Sequence, residues 1–490
     1  MKLTKKIRLI LFITVIPIIL SIAIFTWNKI IPIRSTCDKC NVVLISIDTL
    51  SALHLPCYGY DRNTAPNLCK FADENINFLN SYSQSPVTLN SHFSIFTSLY
   101  PHTHKMTDIN GNSLNENYLT LAQLYKMNGY KTFYYGPTDD FHLPLNRGIE
   151  RGFDYIDNHY SRDNEKNWNH VYQKLIENTD NKKSSFFFLH TYAVHDPYLT
   201  GHKSKHLFTD LPEYPNIALT KNEYYSLTSQ FFSFIAAQNT NNNSFYSNRL
   251  LETNSHSDRR YMDQITQAKS LQENISIFNN LSGQIKHYLF MIWNYSRVRV
   301  SDLNQIEYLK ALYDEQIYNM DQNLGKFLKL MADPKLAKNT IIVITADHGE
   351  EFMEHRHLYH GNDLFRTSTQ VPLIMHIPGV SPKKITDLIQ GIDIYPTVIS
   401  LTNMLPKSPI EGINLTGLIK GEKNAPTNNY IRSEWEGVTA IQSQHLRYYY
   451  DESSKSPIGL YDLSIDPQEK DNLKDTSQEV INKFRAMLKL

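Results

Sequence analysis

Net charge is the first thing this sequence lacks. Lysine and arginine total 49 and aspartate and glutamate total 49. There is no long basic stripe, so the chain carries no electrostatic footprint for nucleic acid. Cysteine is scarce as well. Four cysteines in 490 residues cannot staple a fold of this size, which excludes a small disulfide scaffold. A zinc knuckle is disfavoured because Cys37-x-x-Cys40 has no second Cys-x-x-Cys. Those two thiols could pair, bind metal with other ligands, or do neither. Cys57 and Cys69 flank a turn-rich segment and could pair across it or lie buried as thiols. No internal repeat is apparent. Aromatics are abundant, with 31 Tyr and 23 Phe, which excludes a disordered chain. The length suits one large core with an appendage.

Long apolar runs are also few, and the longest lies at the start. Lys2, Lys5, Lys6 and Arg8 precede a stretch from Leu9 to Trp27 without a charged residue. As a helix this stretch spans about 28 Å, close to the hydrocarbon thickness of a bilayer. The basic flank predicts a short cytoplasmic tail over 1–8, an anchor over 9–31, and a body outside the cytoplasm. In a Gram-negative cell that body would be periplasmic. The rival reading is a cleaved signal peptide, against which stand the length of the run and the lack of a clean A-x-A site.

Short β-rich runs follow at 41–48, 131–135, 185–192, 340–347 and 371–377. Each is a block of apolar, β-branched or aromatic residues of the kind buried on both faces of a sheet. Helical spacing lies between them, over 119–129 and 308–331. This alternation predicts an α/β fold with a large mixed, mostly parallel sheet sandwiched by helices. The catalytic domain is placed at 41–405, with a largely helical insertion at about 200–305. Short strand-like pieces from 430 to 463 predict a small antiparallel sheet within a C-terminal subdomain at 406–490.

Chemistry concentrates where the buried strands end. The first run ends in Asp48 and the fourth in Asp347 and His348. Ligands of open α/β sheets bind at the carboxyl ends of strands, and unpaired charges are too costly to serve as core filler. Two acids and an imidazole at one sheet edge predict a divalent metal, with manganese, zinc, magnesium and calcium all compatible. Thr88 lies just before an expected helix whose N-cap would be Asn90 or Ser91. A hydroxyl there faces backbone N–H groups that favour an anion. A metal would ease loss of its proton. The predicted metal set is Asp48, Thr88, Asp347 and His348. His195 and His360 each follow a strand end closely and are the candidates for binding the ester or protonating its leaving group. His355 and His357 are weaker candidates.

With VLISIDTL, SPVTLNSHFSIFTSLYPHTH, HTYAVHDPY, TADHGEEFMEH, VPLIMHIPG and DIYPTV in that order, the chain resembles the sulfatase family of the alkaline phosphatase superfamily over about 41–473. The resemblance implies an α/β sandwich with a small C-terminal antiparallel subdomain. It also exposes departures. Where the family carries Cys-x-Pro-Ser-Arg, with the cysteine matured to formylglycine, this chain reads Thr88, Leu89, Asn90, Ser91, His92. The Asp-Asp pair is Asp48-Thr49, and the Gly-Lys-Trp-His segment is replaced by one that supplies at most His142. The altered set is similar to that of phosphoethanolamine transferases and lipoteichoic acid synthases, which use a catalytic threonine and an Asp-His pair. The leading expectation is therefore a membrane-anchored, metal-dependent hydrolase or transferase. Its substrate would carry a phosphoester-type group on a lipid or cell-envelope component. A sulfuric ester hydrolase without formylglycine and a catalytically inactive binding relative are the alternatives.

Overall fold

In a computed structural model, the structure describes residues 37–487 except 38, 107–111, 139–142, 159–164, 181–182, 197, 199–206 and 210–301. The expected anchor, His142 and nearly all of the expected insertion lie outside the described residues. Among the described residues no helix is long and apolar enough to cross a membrane.

The apolar runs form the centre of an eight-stranded sheet. Its strands are β1 (Asn41–Ile47), β2 (Ile76–Tyr82), β3 (Lys131–Tyr135), β4 (Tyr155–Asp157), β5 (Ser185–Thr191), β6 (Thr340–Thr345), β9 (Leu373–His376) and β10 (Lys383–Gln390). Between β6 and β9 a two-stranded hairpin pairs β7 (Glu351–Phe352) with β8 (Leu358–Tyr359). The order across the large sheet is β10-β2-β9-β6-β1-β5-β3-β4. All neighbours are parallel except that β9 runs against both β2 and β6. The mixed, mostly parallel sheet is thus as expected. β2 and β10 fall outside the apolar runs of the sequence. Asn77, Asn80 and Ser81 interrupt the first, and Lys383, Lys384 and Asp387 the second. β10 is an edge strand, where polar side chains reach water and no continuous apolar run is required.

Alternation along β1 divides the core in two. Val42 and Leu44 face a cluster that includes Phe186, Phe188 and Val343. This face is covered by helices α2 (Thr88–Thr97), α3 (Leu121–Met127) and α6 (Ile394–Leu401). Val43, Ile45 and Ile47 face the other way, onto α1 (Pro66–Asp73), α4 (Glu165–Asp180) and α5 (Leu303–Met331). α5 begins at an Asp302 cap whose carboxylate accepts from Asn304 N, as an N-cap acid does. All four cysteines are paired, Cys37 with Cys40 and Cys57 with Cys69. Their Cα separations of 5.5 and 5.2 Å suit disulfides.

A second sheet is an antiparallel meander of β11 (Ile431–Trp435), β12 (Val438–Gln442), β13 (Leu446–Asp451) and β14 (Ser456–Asp462). The C-terminal helix α7 (Gln478–Met487) packs Ile481 and Phe484 on Tyr448 and Tyr450. This sheet is bound to the main body by a buried cation. Arg447, only 1% exposed, donates to Gln442 Oε1 at 2.6 Å, to Thr369 Oγ1 at 2.8 Å and to the Leu364 carbonyl.

Candidate active site

Parallel pairing brings the chemistry to one edge. β6, β1 and β5 are adjacent, and Ser46 is level with Thr345 on one side and His190 on the other. The residues just beyond these strand ends, Asp48 and the Asp347-His348 pair, therefore emerge side by side. Thr49 then turns with φ +59, the left-handed region that non-glycine residues seldom adopt. That bend points its N–H at Asp347 Oδ1, 3.2 Å away.

Thr88 arrives from the α2 side. The helix starts at Thr88 itself, after Val87 at the cap position. Asn90 and Ser91 are thus inside the helix and do not cap it, a correction to the expectation. Ser91 Oγ donates back to the Val87 carbonyl at 2.5 Å, the i−4 bond of a serine inside a helix. Thr88 Oγ1 lies 3.4 Å from Asp48 Oδ2 and 3.3 Å from His348 Nε2. All three residues are buried.

Two further imidazoles join the cluster that the sequence reading did not select. His92 falls one turn after Thr88, on the same face of α2. Its Nδ1–H donates to the Thr88 carbonyl at 2.8 Å, and Ser46 Oγ donates to its Nε2 at 2.9 Å. Burial, then the neighbouring His190, lower its pKa to about 4, so it is neutral at pH 7. His190 Nε2 lies 3.2 Å from Asp48 Oδ2. The i,i+4 spacing from Thr88 was a usable signal for His92. His190 had none, because its place depends on which strand lies beside β1.

His195 and His360 stand together next to this cluster. Their rings are 5.0 Å apart, and His360 is 4.4 Å from the His348 ring. His360 is partly exposed, with Nδ1 2.9 Å from Glu350 Oε1. His195 Nδ1 lies 2.6 Å from Asp196 Oδ1. Burial pulls the His195 pKa down, but the Asp196 carboxylate more than offsets this and raises it to about 10. A raised histidine contributes stability that is present below the unfolded value near 6.5 and is lost as pH rises through 10. Replacing Asp196 by Asn is expected to shrink the loss of unfolding free energy between pH 7 and pH 10, measured by denaturant titration. An unchanged loss would overturn this account of the pair. His355, by contrast, stacks on Phe365 with its Nε2 2.9 Å from the Gln468 carbonyl. His357 is exposed.

The donors fit a divalent cation. Single ligand atoms of Asp48, Asp347 and His348 all lie within 4.8 Å of one another. Asp347 Oδ1 accepts the backbone N–H groups of Thr49 and His348. Its Oδ2 meets no hydrogen-bond donor among the described residues and lies 3.5 Å from His348 Nε2. Burial raises the Asp347 carboxyl, but the His348, His92 and His190 rings and the His348 N–H outweigh it and hold the pKa low. His348 Nδ1–H donates to the Gly349 carbonyl at 3.0 Å, so its Nε2 lone pair faces the cluster. A backbone acceptor behind the ring is how ligating histidines are oriented.

Comparison with known proteins agrees with this geometry. The family model described as Sulfatase matches residues 40–404, and that of N-sulphoglucosamine sulphohydrolase, C-terminal, matches 353–489. The chain is 24% identical to arylsulfatase K of Gallus gallus over 434 residues, covering 84% of this chain and 75% of that protein. It is 23% identical to the delta 4,5-hexuronate-2-O-sulfatase of Bacteroides thetaiotaomicron over 478 residues, covering 92% and 88%. Among solved structures it is similar in fold to a 2-O GAG sulfatase, with TM-score 0.64, 19% identity and 92% and 91% coverage. It is also similar to the phosphonate monoester hydrolase of Agrobacterium radiobacter, with TM-score 0.63, 16% identity and 92% and 94% coverage. The family model alone spans most of the chain and ends beyond both strands that carry the acids, so this protein belongs to the sulfatase family of the alkaline phosphatase superfamily, and it is an ester-hydrolysing enzyme.

Proposed function

We propose that this enzyme cleaves or transfers a phosphoester-type group through a covalent bond to Thr88. The observation that carries the reading is the position of Thr88 Oγ1, within 3.4 Å of both Asp48 Oδ2 and His348 Nε2. Asp48, Thr88, Asp347 and His348 would hold a divalent ion. When bound, it supplies Lewis acidity that eases loss of the hydroxyl proton and offsets charge on the ester oxygens.

The residues divide the remaining work. Thr88 Oγ1 sheds its proton toward the acceptor atoms beside it and attacks phosphorus. A Thr–O–P bond forms as the bond to the leaving oxygen breaks. The cationic His195, or His360 beside it, binds that oxygen and gives it a proton. Water or an acceptor hydroxyl then attacks phosphorus, and Thr88 departs and regains its proton. Hydrolysis and transfer differ only in that second nucleophile. With the uncharged run at 9–27 as a membrane anchor, the catalytic body would lie outside the cytoplasm, periplasmic in a Gram-negative cell. A lipid or cell-envelope ester would then be within reach.

The second reading is sulfuric ester hydrolysis with Thr88 in place of formylglycine. The sulfatase names of the relatives favour it. Against it stands the neutral His92 at the position where the family's arginine would hold a sulfate. The buried Asp48-Asp347-His348 cluster speaks against a non-catalytic relative. Protein stripped with a chelator and reloaded separately with manganese, zinc, magnesium or calcium decides between the readings. The best metal is expected to give a kcat/KM for bis(4-nitrophenyl) phosphate or 4-nitrophenyl phenylphosphonate at least about tenfold above that for 4-nitrophenyl sulfate, a gap of about 1.4 kcal/mol. Faster sulfate release would reverse the order. Full activity in the stripped protein would remove the metal from the account.

A further inference from the structure

We propose that Trp435, the last residue of β11 on the C-terminal sheet, is a positioning residue for His360. The inference rests on the reading above, in which His360 binds or protonates the leaving group. His360 sits in a tight turn after β8, with Tyr359 at φ +68 and Gly361 at φ +75 on either side. Asn362 Nδ2 closes the turn by donating to the Leu358 carbonyl at 3.1 Å and the His360 carbonyl at 3.3 Å. Glu350 Oε1, 2.9 Å from His360 Nδ1, holds the ring itself, and two contacts from outside the turn hold its main chain.

The first contact is a hydrogen bond from Trp435 Nε1 to the Gly361 carbonyl at 2.8 Å. An indole has this single donor, so one bond fixes the carbonyl next to His360 to a strand whose register is locked by pairing with β12. The second is close packing on the cap of α2. A Cβ on Gly361 would lie 3.1 Å from Val87 Cγ1, and Val87 precedes Thr88. The turn is therefore held between the indole and Val87, the cap residue of the Thr88 helix. Further along, Arg447 of β13 donates to the Leu364 carbonyl. The C-terminal sheet thus grips the segment after His360 twice. His360 lies 4.4 Å ring to ring from His348, where a displacement of about 1 Å is enough to cost on the order of 100-fold in rate.

The test is the dependence of kcat on the leaving group, across aryl esters from 4-nitrophenol to unsubstituted phenol. Trp435→Phe keeps the ring and removes the donor. It is expected to lower kcat about tenfold for the 4-nitrophenyl ester and by more for the phenyl ester, with KM within about twofold. His360→Ala is expected to steepen the same dependence, and the double variant to lose no more than His360→Ala alone. Gly361→Ala perturbs the same turn from the Val87 side, at the residue whose carbonyl accepts from Trp435, and decides the matter if Trp435→Phe does not fold. An unchanged leaving-group dependence in Trp435→Phe, or in Gly361→Ala in its place, beside a steepened one in His360→Ala overturns the inference. An unchanged dependence in His360→Ala overturns the reading of His360 itself, and the inference with it.

Discussion

Replacing Thr88 by alanine is expected to lower kcat by roughly 10,000-fold or more, the scale seen when the nucleophile of a covalent mechanism is removed. The loss should come without unfolding. Thr88 opens α2, where alanine is a better helix former than threonine, and its main-chain carbonyl, which holds His92, is untouched. Unfolding free energy should therefore move by less than about 1 kcal/mol. Asp48, Asp347 and His348 remain, so metal content measured by elemental analysis should stay near that of the parent. Thr88→Ser retains the hydroxyl and should recover most of the rate. Acid quenching during turnover should trap a phosphoryl group on the peptide containing Thr88, read by mass spectrometry. Activity within tenfold of the parent in Thr88→Ala would remove Thr88 as nucleophile, whatever the substrate.

The second large effect is on stability. Arg447→Met is expected to cost about 3–5 kcal/mol, because breaking a buried ion pair leaves its partner uncompensated. The partner is Glu469, 2% exposed, with Oε1 3.5 Å from Arg447 Nε. The substitution also strips a donor from Thr369 Oγ1 and from the Leu364 carbonyl, and unmet acceptors add to the cost. Tyr82 and Tyr449 lie 5.5 and 5.7 Å from the guanidinium, a cation–π arrangement lost with it. Lysine should not rescue, since it lacks the planar fork that reaches several acceptors at once. Adding Glu469→Gln to Arg447→Met should recover part of the loss, because it neutralises the stranded acid. A double variant no more stable than the single one would show that the loss comes from the other contacts.

How far the sequence could be read varies with how local the signal is. β1 and β5 were legible to within one residue, at Asn41–Ile47 and Ser185–Thr191, because a buried central strand is mostly apolar on both faces. β10 was not, because lysines on an edge strand carry no such constraint, and neither was β2, whose buried Asn77 and Ser81 break its apolar run. The antiparallel course of β9 could not be read either. Its VPLIMHI run looks like a parallel strand, and direction is set by where the chain returns to the sheet. At the site, Asp48, Asp347 and His348 were visible because charge at the end of an apolar strand needs an explanation. His92 carried only its i,i+4 spacing from Thr88, and His190 only a place near the end of the 185–192 run.

By itself, then, the sequence determined the family, the sandwich architecture and the identity of the groups at two strand ends. The family follows from the resemblance of ordered motifs, and the architecture and strand-end groups follow from burial, which acts residue by residue along the chain. Tertiary structure alone decided that Thr88 Oγ1 meets residues 40 and 260 positions away. It also decided that two unselected histidines line the same cluster, and that an indole from the C-terminal sheet holds the turn beside His360. Each depends on strand order and helix docking, which arise from packing between distant segments and have no period to be read along the chain.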